Sequence, residues 1–73
     1  MNVRGGGRPP GTYQVMPDEL QVGDCILGPV LVVAGAPRLT MAGDVAVVVR
    51  RAGELTHQSV AFDANTALRV FRR

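Results

Sequence analysis

Three polar residues in the last third of the chain have the side chains of a hydrolase triad: His57, Ser59 and Asp63. They lie two and four residues apart in a segment with the pattern of a strand, so they would share one face. Because a strand rises about 3.3 Å per residue, His57 and Asp63 would be about 20 Å apart. A nucleophile and its base must lie within about 3.2 Å of each other. We therefore predict a polar solvent-facing surface here, no catalytic residue and no enzyme.

The other reactive side chains have structural interpretations. Cys25 precedes Ile26 and Leu27, a context that favours buried packing of the thiol. A single cysteine can form neither an internal disulfide nor a cysteine-rich zinc site. Asp24 and Asp44 each follow a glycine, where aspartate commonly accepts a hydrogen bond from its own turn. We therefore expect no metal, no cofactor and no small-molecule substrate.

The basic residues are all arginine, eight in number, and the net charge is +2. One cluster stands out, formed by Arg50, Arg51, Arg69, Arg72 and Arg73. If the strands that carry these residues are close in space, the cluster makes a basic rim that could contact phosphates. Ordinary solubility at strand ends explains the same charges, and three aromatic residues supply little for stacking on nucleic acid. Nucleic-acid binding is therefore the alternative function, not the first.

The length of 73 residues limits the chain to one small domain. Residues 1–12 combine Gly, Pro and Arg, which predicts a flexible arm ahead of a single domain at residues 13–73. No apolar run approaches the roughly 18 residues that span a bilayer, and no secretory signal pattern is present. We therefore expect no membrane association and a cytoplasmic location.

Short apolar segments alternate with turn residues about every ten positions, without helical periodicity. Pro17 and the two acids after it predict one helical turn at residues 17–20, and a polar corner is predicted at residues 63–66. This pattern predicts an all-β fold, a small barrel of five or six short strands. The predicted strands are residues 13–16, 25–27, 30–34 with an extension at 39–41, 45–51, 55–63 and 67–71.

Two of these strands do not alternate between apolar and polar residues. Residues 30–34 and 45–49 are apolar throughout, so both faces of each strand are apolar. No segment has the pattern of a helix that could cover the second face. Three explanations remain. A tightly closed barrel with residues 1–16 folded over it covers that face, the face is an interface with another copy or a protein partner, or scattered surface valines are simply tolerated. The predicted interface residues are Val30, Leu31, Val32, Val33, Val45, Val47, Val48 and Val49.

Two segments place a Gly-Asp turn before an apolar strand: LQVGDCIL at residues 20–27 and AGDVAVVVRRAG at residues 42–53. Together with a polar corner before the last strand, this order resembles SH3-like small barrels. The two segments are similar to the Gly-Asp-strand elements of KOW-type modules in ribosomal and transcription proteins. The resemblance implies RNA or polymerase contacts, which Arg50 and Arg51 would carry. The composition resembles that of short proteins from GC-rich bacteria and their phages.

These observations predict a non-enzymatic, SH3-like all-β module. We expect it to self-associate as a homo-oligomer or to dock on a protein partner through its apolar outer face. The alternative is a barrel that binds nucleic acid through the arginine-rich rim.

Overall fold

The computed structural model describes residues 11–28 and 30–72, and the regular structure of these residues is almost entirely β. This confirms the predicted all-β class. The described residues form seven strands instead of five or six, because Arg38–Leu39 is a separate two-residue strand and not an extension of the strand at residues 30–34. The strands are β1 (Gly11–Val15), β2 (Cys25–Ile26), β3 (Leu31–Val33), β4 (Arg38–Leu39), β5 (Val45–Arg51), β6 (His57–Phe62) and β7 (Leu68–Arg72).

All seven strands belong to one antiparallel sheet in the order β1-β7-β2-β3-β5-β6. The short β4 pairs with the first half of β5, while β3 pairs with its second half. Within residues 11–28 and 30–72, β1 and β6 do not pair, so the sheet is not closed. The expected barrel is therefore an open sheet with β1 and β6 as its two ends.

The longest strand, β5, shows how the sheet forms its core. Val45, Val47 and Val49 are buried, whereas Val48 between them is exposed. Successive side chains of a strand point to opposite faces, so β5 has one buried and one outer face although both are apolar. The buried hydrophobic residues on the inner side are Val15, Leu20, Ile26, Leu31, Val33, Val45, Val47, Val49 and Val70.

A 3₁₀ turn at Pro17–Glu19 follows β1, as the sequence predicted for residues 17–20. The Met16 N–H donates to Oε1 of Glu19 at 2.8 Å, and the Glu19 N–H donates back to the Met16 carbonyl at 2.8 Å. Pro17 suits the first position of the turn because it has no N–H to leave unpaired. The turn directs Leu20 into the core.

The hairpin of β5 and β6 turns at Gly53, which has a φ of 85°. This left-handed conformation favours glycine, as the sequence indicated for the turn at residues 52–54. The Glu54 N–H donates to the carbonyl of Arg51 at 3.0 Å and closes the turn. The predicted strand 55–63 is shorter in the structure, where β6 covers His57–Phe62.

The N-terminal boundary differs from the prediction of an arm at residues 1–12. β1 begins at Gly11, and Gly11 and Thr12 pair with Arg72 and Phe71 of β7. The first ten residues of the predicted arm lie outside the described residues, as do Pro29 and Arg73. Residues 11–15 form an edge strand of the sheet, so they do not lie across its outer face.

Candidate functional site

The strand register brings one row of side chains together on the outer face. Phe71 of β7 pairs with Cys25 of β2, Cys25 with Val32 of β3, Val32 with Arg50 of β5, and Arg50 with His57 of β6. Residues paired across neighbouring strands point to the same face. This row crosses five strands, and its middle is apolar.

Neighbouring rows extend the apolar centre. Leu27 follows β2 and continues its pairing with β7, since its N–H donates to the carbonyl of Arg69, and Val30 directly precedes β3 in the same turn. Val48, two residues before Arg50, continues this face on the other side of the row. Four large side chains remain accessible here: Leu27 at 37%, Val30 at 48%, Val48 at 38% and Phe71 at 41%. We call this surface the outer patch, defined as Cys25, Leu27, Val30, Val32, Val48 and Phe71.

Two open grooves lie along this face. One has a volume of about 620 Å³ and is lined by Cys25, Val32, Arg50 and Phe71 together with the turn at residues 21–24. The other has a volume of about 420 Å³ and is lined by Ala46, Val48 and Ser59 together with residues 36 and 38–41. The outer face therefore has two grooves that side chains of a partner could enter.

The charged side chains that the described strands direct to the outer face are all arginines. Arg38 pairs with Ala46, and Arg69 pairs with Gln14, which places both arginines on this face with Arg50. In the described strands no aspartate or glutamate occupies an outward position on this face. Arg50 donates from Nη1 to the main-chain carbonyl of Glu54 at 3.4 Å, a bond that leaves its charge unpaired. The outer patch is thus an apolar centre with cationic surroundings.

Asp24 and Arg72 form the one ion pair of the described residues. Arg72 donates from Nε to Oδ1 of Asp24 at 2.8 Å and from its Nη2 to Oδ2 at 2.7 Å. The Gln21 N–H also donates to Oδ2, at 2.9 Å. Arg72 Cζ lies 5.9 Å from the centroid of the Tyr13 ring. These contacts join the last strand, the first strand and the turn before β2.

The Asp24 carboxylate is almost fully buried, with 2% exposure. Burial acts to raise its pKa, but the hydrogen bonds from Arg72 and Gln21 and the charge of Arg72 outweigh burial and lower the pKa below its ordinary value. The hydrogen bond to Asp24 raises the pKa of Arg72. Both groups therefore stay charged at neutral pH, and their pairing is structural.

The structure divides the predicted interface residues between two faces. Five of the eight are buried in the core: Leu31, Val33, Val45, Val47 and Val49. Their side chains cannot contact a partner while the chain is folded. The other three, Val30, Val32 and Val48, lie on the outer face. The outer patch also contains Cys25, Leu27 and Phe71, which the apolar runs did not indicate because none of the three lies within such a run.

The predicted arginine rim is not one surface in the structure. Arg50 and Arg51 are neighbours in β5, so their side chains leave opposite faces. Arg69 lies on the outer face, whereas the side chain of Arg72 forms an ion pair with Asp24. Arg73 lies outside the described residues.

The side chains that the sequence analysis considered for catalysis or metal binding do not form a reactive site among the described residues. Asp63 accepts a hydrogen bond at Oδ1 from the Asn65 N–H at 2.9 Å, within its own corner. Cys25 is a free thiol and is half-buried beside a groove, more accessible than the sequence suggested. Among residues 11–28 and 30–72, no group of three or more His, Cys, Asp or Glu side chains could hold a metal ion. No helix in the same part of the chain is long and apolar enough to cross a membrane.

Comparison with known proteins finds no match to a family, to a curated protein or to a solved structure.

Proposed function

We propose that this chain is a non-enzymatic binding module that docks a protein partner through the outer patch. The observation that carries the proposal is the concentration of accessible Leu27, Val30, Val48 and Phe71 on one face of the sheet. Exposed apolar side chains concentrated on one face usually mark an interaction site. Phe71 at the border of the larger groove is the natural anchor, because aromatic residues beside pockets carry much of the energy of interfaces.

The charges around the outer patch indicate the chemistry of the partner. Arg38, Arg50 and Arg69 share the face, and no acidic side chain of the described strands accompanies them. Two copies stacked face to face would bring arginines toward arginines, which costs free energy. A protein that offers apolar side chains with carboxylates around them fits both properties. We therefore favour a different protein over a second copy on this face.

The nucleic-acid alternative has less support. It requires several arginines on one surface, but Arg72 is bound to Asp24, and Arg51 leaves the face opposite to Arg50. Arg38, Arg50 and Arg69 remain as cations, with Phe71 as the one aromatic side chain among the outward positions of the described strands. Stacking of successive bases would need more aromatic surface than this.

Our proposal also includes a relationship to SH3-like barrels and a cellular location. The order of strands, with a one-turn corner at residues 63–66 before β7, supports an SH3-like origin with KOW-like Gly-Asp-strand elements. The lone thiol of Cys25 suits a reducing compartment, so we propose a cytoplasmic location.

The test is a comparative capture experiment with lysate from the source cells, run with and without nuclease treatment. The tagged chain is compared with Phe71→Ser and Val48→Ser, which remove apolar surface from the outer patch. The matched control is Leu55→Ser, which removes an exposed leucine (93% exposure) outside the patch. Circular dichroism verifies that all variants are folded.

We expect a protein that the parent chain and Leu55→Ser retain and that both outer-patch variants lose at least about tenfold. If every retained protein binds the outer-patch variants equally well, the outer patch is not the docking site. If the retained material disappears on nuclease treatment, nucleic acid is the ligand and the proposal is wrong.

A further inference from the structure

The two ends of the open sheet are edge strands with different exposure of their main-chain groups. An unpaired edge offers N–H and C=O groups to any extended chain, and natural proteins usually block such edges. β1 and β6 are the edges in the described part of the sheet. Their hydrogen bonds show that the free edge of β1 is shorter than that of β6.

The outer edge of β1 is short. The Leu27 N–H donates to the carbonyl of Arg69, so the main-chain groups of Arg69 point to β2 and those of its neighbours in β7 point to β1. In β1 this leaves Thr12 and Gln14 on the free edge. At the end of the strand, Glu19 bonds both the N–H and the carbonyl of Met16. At its start the sequence has Pro10, which has no N–H to donate.

The outer edge of β6 is longer. The Ala34 N–H donates to the carbonyl of Val48 at 2.8 Å, so the main-chain groups of Val48 point toward β3 and away from β6. By alternation, Val47 and Val49 bond to β6, and their partners Val60 and Gln58 point inward. The main-chain groups of His57, Ser59 and Ala61 therefore point away from β5. No described strand pairs with them.

The sequence of β6 contains none of the usual obstacles to pairing. HQSVAF has no Pro, Lys, Arg, Asp or Glu. Its six pairs with β5 are consecutive, so no bulge bends the edge away. The exposed side chains of His57, Ser59 and Ala61 are small or uncharged in the formal count at pH 7. Natural edge strands of this length normally include at least one such obstacle.

We propose that β6 pairs antiparallel with β6 of a second copy of this chain, around a two-fold axis at Ser59. In this register Ser59 lies opposite Ser59 of the partner subunit, and His57 lies opposite Ala61 of the partner subunit. His57, Ser59 and Ala61, whose main-chain groups point away from β5, then lie opposite the same three residues of the other copy. This pairing satisfies every free N–H and C=O of the edge. A second copy fits because the two-fold axis makes an antiparallel strand complementary to itself.

This dimer is a different contact from the proposed docking through the outer patch. His57, Ser59 and Ala61 direct their side chains to the outer face, since they pair with Arg50, Val48 and Ala46. Edge pairing would therefore join two outer faces into one wider surface and offer a partner two outer patches. A partner with two matching sites would bind such a surface with avidity.

Light scattering on the full chain tests the pairing. We expect a concentration-dependent rise from 7.7 kDa to twice that mass. Ser59→Pro removes an N–H that no strand in the described chain uses, so the fold tolerates it while two intersubunit bonds are lost. The dimer dissociation constant should rise at least about tenfold. Thr12→Pro, the same change on the edge of β1, should leave the mass unchanged.

A second pair of variants tests the register and guards against a misfolded proline variant. Ser59→Lys and Ser59→Glu each put like charges opposite one another at the axis, so each should be monomeric. Mixed in equal amounts, they should recover the doubled mass as a heterodimer.

A chain that stays at 7.7 kDa up to millimolar concentration would overturn the proposal. A dimer that persists in Ser59→Pro would also overturn it. A dimer that dissociates in Phe71→Ser and Val48→Ser but not in Ser59→Pro would do the same. Because Phe71→Ser leaves the β6 edge unchanged, loss of partner capture with an unchanged mass separates the two proposals.

Discussion

At the scale of single residues, the contact between Asp24 and Arg72 joins parts of the chain that are far apart in sequence. A carboxylate buried this fully would be costly without its partner, since removal of one member of a buried ion pair leaves an uncompensated charge. Arg72 bonds both oxygens of Asp24 and lies over Tyr13, so three separate segments depend on it. The arginine thereby links these segments of the fold.

We predict that Asp24→Asn lowers the free energy of unfolding at pH 7 by about 2 kcal/mol. The pKa of Asp24 is lower in the folded chain than its ordinary value of 3.8, so its contribution is present above that pH and is lost as pH falls through the folded pKa. The difference between parent and variant should therefore shrink on acidification below this value.

Urea unfolding at neutral and acidic pH measures this difference. Asp18→Asn is the control, because Asp18 is exposed on the 3₁₀ turn and should change stability little. An Asp24→Asn variant as stable as the parent at pH 7 would contradict the structural role of the pair.

At the scale of elements, β5 shows how register decides the meaning of an apolar strand. Its valines are chemically equivalent in the sequence, yet those paired with Val60 and Gln58 are buried and the one paired with Ser59 is accessible. The difference arises because alternate positions face opposite sides of one sheet, and only the inner side meets Ile26, Leu31 and the rest of the core.

Two adjacent substitutions test this assignment of faces. Val47→Ala should destabilise the chain by about 2 kcal/mol, since it leaves a cavity in the core. Val48→Ala removes a similar group from the outer face and should cost about 0.5 kcal/mol or less. Denaturant unfolding of the two variants gives both values. Equal losses would show that both faces of β5 are packed within one subunit.

At the scale of the whole molecule, the sheet separates the charges that the sequence places side by side. One face carries Arg50 with Arg38 and Arg69 around the outer patch, while Arg51 leaves the opposite side. Charges on one face attract a partner of opposite sign and mainly affect the rate of encounter. The arrangement therefore favours recognition by one face over general binding to polyanions.

We predict that Arg50→Ala weakens capture of the protein partner and that Arg51→Ala does not. Both substitutions remove one positive charge, so net charge alone cannot explain a difference between them. The measurement is partner retention at low and high salt, with a gel shift on DNA and RNA beside it. Equal effects of the two substitutions, together with a salt-sensitive gel shift, would favour the arginine rim of the nucleic-acid alternative.

Much of the secondary structure could be predicted from local sequence. The run at residues 45–51 is rich in β-branched valine and lies between glycine-containing turns, and the observed β5 has the same bounds. The 3₁₀ turn was readable from Pro17 and its acids. The predicted strand at residues 25–27 corresponds to β2. The separate β4 was harder to predict, because its pairing with β5 defines this two-residue strand more than its own residues do.

The sequence by itself determined that the chain is all-β and that two strands are apolar on both faces, because turn residues and side-chain periodicity act over a few neighbouring positions. Only the tertiary structure decided which valines are buried, which edge is open, and that Asp24 pairs with Arg72. These features depend on strand register and on contacts between residues as far as 48 positions apart. No local pattern of residue types encodes such distances, since they result from the packing of the whole sheet.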